Sequence, residues 1–239
     1  MSEIQKLQSY IDQSSRIVFF GGAGVSTESG IPDFRSVDGL YNQKYKYPPE
    51  TIISHSFFIS KPQDFYDFYR DRVVYLDAKP NAAHYKLAEL ENAGKLSAIV
   101  TQNIDGLHQA AGSRTVYELH GSIWRNYCVN CGKSYEITDI TGISGVPKCE
   151  CGGIIRPDVV LYEEALDQRV LIQAEKHLRE ADLLIVGGTS LIVYPAAGLI
   201  SLSTAPLILI NKSATSQDRR ASLLIQDNIG EVMGQIAVH

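Results

Sequence analysis

The stretch Ile17–Val25, which reads IVFFGGAGV, decides the fold of this chain. Its first part, Ile17–Phe20, is a short apolar run of β-branched and aromatic side chains, the composition of a strand that is buried on both faces of a parallel sheet. The glycine-rich part, Gly21–Gly24, follows without a break. Glycines after a strand let the backbone approach a bound pyrophosphate, so the stretch predicts a buried strand whose carboxyl end faces a ligand.

Four more apolar runs have the same character, and helical patterns separate several of them. The predicted strands are Ala98–Thr101, Val116–Leu119, Leu183–Val186 and Leu207–Ile210, and the predicted helices are Ala82–Asn92 and Gln168–Glu180. This alternation predicts an α/β fold with a doubly wound, parallel, Rossmann-like sheet. Polar residues and glycines follow every predicted strand, at Gly21–Gly24, Gln102–Asp105, His120–Gly121, Gly187–Ser190 and Asn211. We expect these clusters to meet in one crevice at the carboxyl edge of the sheet.

Two stretches interrupt the alternation of strands and helices. Residues 36–79 are rich in Tyr, Phe and Pro and contain a predicted helix at Gln63–Leu76, whereas residues 123–156 hold all four cysteines and show little apolar periodicity. The sequence therefore predicts a Rossmann-like large domain (about 1–35, 80–122 and 157–239), a helical module (about 36–79) and a metal-binding insert (about 123–156).

The composition narrows the class of protein. The chain has 239 residues, 44% of them hydrophobic, and a formal net charge of −5. Such a chain lacks the concentrated Lys and Arg that binding to nucleic acid or to an anionic membrane requires. Its N-terminus has no signal-peptide core, and its longest apolar stretches are too short to cross a bilayer. These features predict a cytoplasmic protein that binds neither nucleic acid nor a membrane.

The four cysteines form two close pairs, Cys128-x-x-Cys131 and Cys149-x-Cys151, with seventeen residues between the pairs. In a cytosolic chain this spacing is typical of a four-thiolate zinc ribbon rather than of disulfides. No histidine or carboxylate completes a three-ligand set with an open position, so one structural zinc ion is predicted.

The segment after the first strand contains candidate ligand-binding residues. Thr27 stands where a dinucleotide-binding fingerprint has its third glycine, so a plain strand-to-helix turn explains the glycines equally well. An acid, an aromatic ring and a guanidinium then follow at Asp33, Phe34 and Arg35, which is an unusual set for a turn. Their presence favours a ligand site.

Two further segments carry candidate polar residues. Gln102, Asn103 and Asp105 follow a strand end and are expected to face the crevice, although they can also cap the next helix. His120 is expected to project into the same crevice. It titrates near neutral pH, which suits a general base, while a structural hydrogen bond is the commoner role of a lone histidine.

In their order and spacing, the segments of this chain resemble the sirtuin family, and its bacterial members in particular, along almost the whole length. The elements that carry the resemblance are GAGVSTESGIPDFR, PNAAH, TQNIDGLHQAAG, ELHG, the two cysteine pairs, IIRPDVVLYEE, VGGTSLIVYPA and ILIN. The resemblance implies an NAD-dependent protein deacylase, a transferase that removes acyl groups, acetyl preferred, from protein lysines. The products are nicotinamide, free lysine and O-acyl-ADP-ribose, so NAD is a consumed cosubstrate.

The resemblance also implies roles for individual residues. His120 is the general base, and Asn103 orders the ribose and a water molecule. Eleven residues are implied to contact NAD at its phosphates, its nicotinamide, its ribose or its adenosine half: Ala23, Thr27, Phe34, Arg35, Gln102, Ile104, Asp105, Thr189, Ser190, Asn211 and Ile229.

Acylated-lysine proteins are implied to bind as an extended peptide along Val159–Tyr162 by β-augmentation. At the end of this segment the chain departs from the family pattern, because it reads Tyr-Glu-Glu at residues 162–164 in place of Phe-Gly-Glu.

The acyl group is predicted from the helix that precedes PNAAH. Family members that remove acidic acyl groups carry Tyr-x-x-Arg there, whereas this chain has Tyr66 and Tyr69, with Arg70 one residue further on. A phenol cannot replace the fixed charge and forked donors of arginine, so neutral acyl groups are expected.

Three other functions stay open at the level of sequence. An NAD(P)-dependent dehydrogenase requires a third glycine and a downstream ribose-binding acid, both of which are absent here. Protein mono-ADP-ribosylation uses the same NAD site. A non-enzymatic zinc-ribbon binding module on a nucleotide-sensing domain requires basic and aromatic residues around the cysteines, where Glu136, Asp139 and Glu150 dilute them.

Overall fold

The computed structural model describes residues 1–34, 39–42 and 45–239. The α-helices in these residues are α1 (Glu3–Gln13), α2 (Pro49–Ile52), α3 (His55–Ser60), α4 (Pro62–Arg72), α5 (Ala82–Asn92), α6 (Leu107–Ala110), α7 (Thr138–Thr141), α8 (Gln168–Glu180) and α9 (Ile229–Gly234). The strands are β1 (Ile17–Gly21), β2 (Leu96–Thr101), β3 (Val116–Glu118), β4 (Gly121–Cys128), β5 (Ser134–Tyr135), β6 (Ile155–Val159), β7 (Leu183–Gly187), β8 (Leu207–Ile210) and β9 (Leu223–Ile225). Within the described ranges, every helix is too short or too polar to span a membrane.

Six strands form a parallel sheet in the order β3-β2-β1-β7-β8-β9. The chain builds outward from β1 through β2 to β3, then returns to the other side of β1 with β7. The strand order therefore reverses between β1 and β7, the point at which doubly wound sheets bind ligands outside their carboxyl ends. The predicted fold class is confirmed. The edge strand β9 was not predicted, because its three residues are too few to form a pattern of their own.

A hydrophobic core on each face of this sheet explains the apolar runs of its strands. In β1, Ile17 and Phe19 belong to a first hydrophobic cluster with α1, α5 and α9, while Val18 and Phe20 belong to a second with α8 and the 3₁₀ helix Ala196–Leu202. Every residue of β1 is buried. Because both faces of β1 are covered, the strand shows no alternation of apolar and polar residues. Full burial of one large apolar side chain stabilises the fold by about 1.5–3 kcal/mol.

A third hydrophobic cluster joins the two segments that interrupt the sheet. Its side chains come from α2, α3 and α4 on one side and from β4, β6 and α7 on the other. The buried Tyr66 hydroxyl donates to the Ile155 carbonyl oxygen over 2.5 Å. The Arg70 guanidinium donates to the carbonyl oxygens of Ile140 and Gly145. The predicted helical module and the cysteine-bearing insert thus pack on one another, and the antiparallel sheet β5-β4-β6 extends beyond both predicted ends of the insert, from Gly121 to Val159.

Candidate active site

A cavity of about 990 Å³ lies at the carboxyl edge of the parallel sheet, and residues of the third hydrophobic cluster form its opposite wall. Its lining includes every described residue that the sequence assigned to catalysis or to NAD: Ala23, Thr27, Phe34, Gln102, Asn103, Ile104, Asp105, His120, Thr189, Ser190, Asn211 and Ile229. Arg35, the remaining one, lies outside the described residues. The expected convergence on one crevice is therefore observed.

The glycine-rich loop after β1 packs against the loop after β7 with backbone on backbone. The Gly24 N–H donates to the Gly188 carbonyl oxygen over 2.8 Å, and a Cβ added to Gly24 would lie 2.8 Å from the Gly188 Cα. Gly188 has a φ of +59°, in the left-handed region that favours glycine. The Thr27 hydroxyl donates to the Gly24 carbonyl oxygen over 3.0 Å. These contacts form the floor of the cavity at the switch point of the sheet.

Thr189 is the centre of a network that joins the ends of β2, β7 and β8. The Gln102 side-chain amide donates to the Thr189 hydroxyl over 2.9 Å. Asn211 bonds the Thr189 backbone in both directions: its Oδ1 accepts from the N–H over 3.0 Å, and its Nδ2 donates to the carbonyl oxygen over 2.8 Å. Three of the predicted NAD contacts are thus fixed relative to one another within the protein itself.

Asn103 and Asp105 are held by Ser26, a residue of the segment GAGVSTESGIPDFR to which the sequence assigned no role. Asn103 Nδ2 donates to Ser26 Oγ over 3.0 Å, and the Ser26 hydroxyl donates to Asp105 Oδ2 over 2.6 Å. Burial raises the pKa of Asp105, although the hydrogen bonds from Ser26 and from the Leu107 N–H act in the opposite direction. The place of Ser26 in that segment is the signal that could have pointed to it, and its two hydrogen bonds become visible only in the fold.

His120 enters the cavity with one ring nitrogen already engaged. Its Nδ1 lies 2.9 Å from the Gln102 carbonyl oxygen, and since a carbonyl only accepts, Nδ1 carries the proton. Burial lowers the pKa of His120 against the opposing effect of this hydrogen bond. The neutral ring therefore has its basic lone pair on Nε2. Gly121, with a φ of +78°, packs so closely on Asp158 that any side chain would collide with the Asp158 carbonyl oxygen.

Strand β6 ends at Val159, so only the first residue of the segment Val159–Tyr162 lies in a strand. Val160 N–H donates to the His120 carbonyl oxygen over 2.9 Å, whereas Tyr162 N–H donates to the Ile53 carbonyl oxygen over 3.0 Å. The segment turns out of the sheet because its N–H groups bond to partners in different parts of the chain. All of Val159–Tyr162 nonetheless lines the cavity.

Two carboxylates after this segment fasten it to its surroundings. Glu163 has a φ of +75°, a conformation that favours glycine, and its carboxylate accepts from the Ser56 N–H and hydroxyl over 2.9 Å each. Glu164 accepts from the Arg156 guanidinium through both oxygens, at 2.7 and 2.8 Å, and lies 2.7 Å from His55 Nδ1. Burial acts to raise the pKa of Glu164, but these hydrogen bonds outweigh it and hold the pKa at about 2. The extra carboxylate of this chain, Glu163, thus serves as a tie to α3.

The four cysteines come together in a geometry that suits one metal ion. Their sulfur atoms lie within 4.8 Å of one another, with 3.4 Å between Cys128 and Cys151 and 3.6 Å between Cys131 and Cys149. Tetrahedral zinc with Zn–S bonds of about 2.3 Å places sulfurs about 3.8 Å apart. The Asn130 N–H lies 3.4 Å from Cys128 Sγ, which stabilises a thiolate at this position. The donor set and its spacing fit a structural zinc ion.

Comparisons with known proteins agree with this site. The model of the Sir2 family matches residues 22–195. Two relatives named NAD-dependent protein deacetylase come from bacteria: that of Clostridium acetobutylicum is 59% identical and covers 98% of this chain and 97% of its own length, and that of Staphylococcus aureus is 45% identical and covers 97% of each.

Solved structures are similar over almost the whole chain. A complex of Sir2 with a p53 peptide and NAD+ has a TM-score of 0.87 at 39% identity and covers 98% of this chain and 96% of that chain. Sir2Tm bound to a propionylated peptide has a TM-score of 0.87 at 38% identity and covers 97% of this chain and 96% of that chain. The chain therefore belongs to the Sir2 family, the sirtuins.

Proposed function

We propose that this protein is an NAD-dependent protein-lysine deacetylase, which yields nicotinamide, free lysine and O-acyl-ADP-ribose. The observation that carries the proposal is the imidazole of His120, whose Nδ1 is engaged by the Gln102 carbonyl oxygen and which shares one cavity with the glycine-rich loop and the Thr189 network. Relatives that are similar over almost their full length are named for this activity. A similar structure contains a peptide together with NAD+.

NAD is proposed to lie along the carboxyl edge of the sheet as a consumed cosubstrate. Its phosphates and nicotinamide are assigned to Ala23, Thr27, Phe34 and Arg35, its ribose and carboxamide to Gln102, Ile104 and Asp105, and its adenosine half to Thr189, Ser190, Asn211 and Ile229. The support for these assignments is that the described members line one cavity and that hydrogen bonds tie Gln102, Thr189 and Asn211 to one another.

In the proposed reaction the protein first orients NAD and the acylated lysine, and a general base then accepts a proton. The bond between nicotinamide and the ribose carbon C1′ breaks, and the acyl oxygen of the substrate lysine forms a bond to C1′. His120 Nε2 then accepts a proton from a ribose hydroxyl, and the hydroxyl oxygen adds to the former acyl carbon. Water then adds to this carbon, its bonds to the lysine nitrogen and to the oxygen on C1′ break with one proton of the water going to each, and free lysine and O-acyl-ADP-ribose are released. Asn103, whose amide Ser26 orients, is assigned to order the ribose and a water molecule.

The remaining parts of the proposal concern the protein substrate, the metal and the compartment. Acylated-lysine proteins enter as an extended peptide over Val159–Tyr162, a segment that lines the cavity.

Zinc, held by four thiolates without an open position, supplies structure to the insert and takes no part in the reaction. We place the reaction in the cytoplasm, in keeping with the bacterial relatives and the absence of a membrane-spanning helix among the described residues.

Nicotinamide release tests this function directly. With NAD and an acetylated peptide, we expect nicotinamide, deacetylated peptide and O-acetyl-ADP-ribose in equal amounts. The matched control is the same peptide without the acetyl group, which we expect to give almost no nicotinamide, because the acyl oxygen is the attacking atom. Transfer of labelled ADP-ribose to unacetylated protein as the main product would contradict the proposal in favour of a mono-ADP-ribosyltransferase.

We expect the acetylated peptide to have at least about a tenfold higher kcat/KM than its succinylated counterpart, since burial of an unpaired carboxylate is costly. Tyr69 lines the cavity and is 1% exposed, and burial raises the pKa of its phenol, so this side chain supplies no charge. The Arg70 guanidinium is directed to the carbonyl oxygens of Ile140 and Gly145. Kinetics on the two versions of one peptide measure the ratio.

Two variants sharpen this measurement. Tyr69→Arg introduces a cation into the cavity wall and is expected to narrow the ratio of the two kcat/KM values. Arg70→Gln, the matched control, is expected to leave the ratio unchanged, because Arg70 is already bound to the insert. A higher kcat/KM for the succinylated peptide with the unmodified protein would show that another cation reaches the acyl group, and would refute the prediction.

A further inference from the structure

Trp124, the single tryptophan of the chain, lies on β4 beside the turn that follows β2. Its indole Nε1–H donates to the Asp105 carbonyl oxygen over 2.7 Å. The indole also covers Gly106, since a Cβ added there would lie 2.7 Å from Nε1 and 2.8 Å from Cδ1 of the tryptophan. Gly106 has a φ of +74°, so its conformation and its neighbour both require glycine.

The turn Asn103–Gly106 is thereby held from two directions. From the loop after β1, Ser26 bonds the side chains of Asn103 and Asp105. From β4, the Ile123 N–H donates to the Ile104 carbonyl oxygen over 3.0 Å, one residue before the bond that the indole makes. The loop after β1 thus fixes the side chains of Asn103 and Asp105, and β4 fixes the backbone of the turn.

The indole N–H has a defined hydrogen-bond acceptor although the side chain is exposed. Trp124 is 43% exposed, so burial of apolar surface does not by itself account for its position. The adjacent Arg125 holds this part of β4 in place, because its guanidinium donates to Glu118 over 2.7 Å and to Asp158 over 2.8 Å. These ion pairs connect β4 to β3 and to β6, and the tryptophan extends from this frame towards the turn.

We propose that Trp124 is a positioning residue for the NAD-consuming reaction. Through its hydrogen bond to the Asp105 backbone and its contact with Gly106, it keeps Ile104 and Asp105 in the conformation that receives nicotinamide. The proposal rests on the proposed function, which assigns the carboxamide of NAD to these two residues. Trp124 itself is not part of the cavity lining, so its effect passes through the turn.

Trp124→Phe keeps an aromatic ring and removes the donor. We expect the KM for NAD and the nicotinamide concentration for half-maximal inhibition to rise about 2- to 10-fold, the range of one neutral hydrogen bond. The KM for the acetylated peptide is expected to stay within about twofold, because the peptide is assigned to Val159–Tyr162 and the nicotinamide to this turn. A purely structural role would lower the melting temperature without separating the two KM values.

Two further proteins make the test independent of side-chain size. A tryptophan analogue with sulfur in place of the ring N–H replaces only residue 124, keeps the shape of the indole, and is expected to reproduce the Trp124→Phe result. If Trp124→Phe does not fold, the analogue decides. Tyr85→Ala, at an exposed aromatic on α5 outside the cavity lining, is the control and is expected to behave as wild type.

The outcomes separate the two proposals. An unchanged KM for NAD in the analogue protein, with normal acetyl-dependent nicotinamide release by the wild type, would overturn the role of Trp124. Absence of that release by the wild-type protein would instead overturn the proposed function.

Discussion

Replacing His120 with alanine is expected to lower kcat by about 10²–10⁴-fold, the usual contribution of a positioned general base. The structure gives the reason, because the Nδ1 proton of His120 is engaged with the Gln102 carbonyl oxygen and Nε2 is left as the basic atom in the cavity. NAD and the acetylated peptide are expected to bind the variant, since the imidazole is assigned to proton transfer. Single-turnover kinetics and calorimetric titration with each substrate measure these quantities separately.

The matched control is His177→Ala, which removes a histidine from α8, outside the cavity lining. This variant is expected to keep the wild-type kcat. Near-normal turnover by a correctly folded His120→Ala protein would rule out His120 as the base, and loss of NAD binding would show that its role is in binding instead.

The acid side of the pH profile provides a second measurement on the same residue. Only the neutral imidazole accepts a proton, and burial lowers the pKa of His120 below its ordinary value of 6.5. The active form therefore persists to lower pH than it would with an unperturbed histidine. We expect kcat/KM to be retained at pH 6.5 and to fall as the pH drops through the lowered pKa. A fall centred above pH 6.5 would contradict the lowered pKa.

Removal of zinc is expected to have the largest effect on stability. A free zinc concentration 1,000 times the Kd adds about 4 kcal/mol to the free energy of unfolding. For a chain of this size, loss of that contribution lowers the melting temperature by roughly 8–16 °C. The insert around the cysteines has little apolar periodicity, so its fold depends on the metal. Cys128→Ser is expected to abolish stoichiometric zinc and to lower the melting temperature by this amount, as measured by metal analysis and calorimetry.

The effect is expected to extend beyond the insert, because the third hydrophobic cluster contains Cys128 and Cys149 together with side chains of α3 and α4. Lys148→Ser, an exposed substitution next to a ligand, is the control and is expected to keep both zinc and melting temperature. Freshly purified wild-type protein without zinc would refute the assignment, as would an unchanged melting temperature in Cys128→Ser.

The sheet and two of its helices could be predicted because local signals and tertiary packing agree there. Helices α5 and α8 have the predicted bounds, and each follows a side chain, Asn81 or Asp167, that accepts a hydrogen bond from a backbone N–H of the first turn. Helix α4 ends earlier than predicted, at Arg72, because the N–H groups of Val73 and Val74 both bond to one carbonyl oxygen of its last turn. That ending has no counterpart in the residue pattern.

The lining of the cavity could be predicted because parallel strands deliver their carboxyl ends to one edge. What could not be predicted are single contacts between distant segments, such as the bond from Tyr66 to Ile155 or the bridge through Ser26. Each depends on one polar pair brought together by the whole fold, and no periodicity indicates it. The contacts between the helical module and the insert are of this kind, so the sequence predicts the two as separate units. We propose that they form one small domain, in view of their shared cluster.

Different hydrophobic clusters support the two walls of the cavity, and within the described part of the chain no buried residue belongs to the clusters of both walls. The clusters on the faces of the parallel sheet support one wall, and the third hydrophobic cluster supports the other. A hinge rotation of one body against the other would therefore change the width of the cleft without opening any of the three hydrophobic clusters. Such a rotation would also have to break the contacts that join the two bodies at the turn after β2, where Ile104 packs on the third cluster and the backbone accepts hydrogen bonds from Ile123 and Trp124.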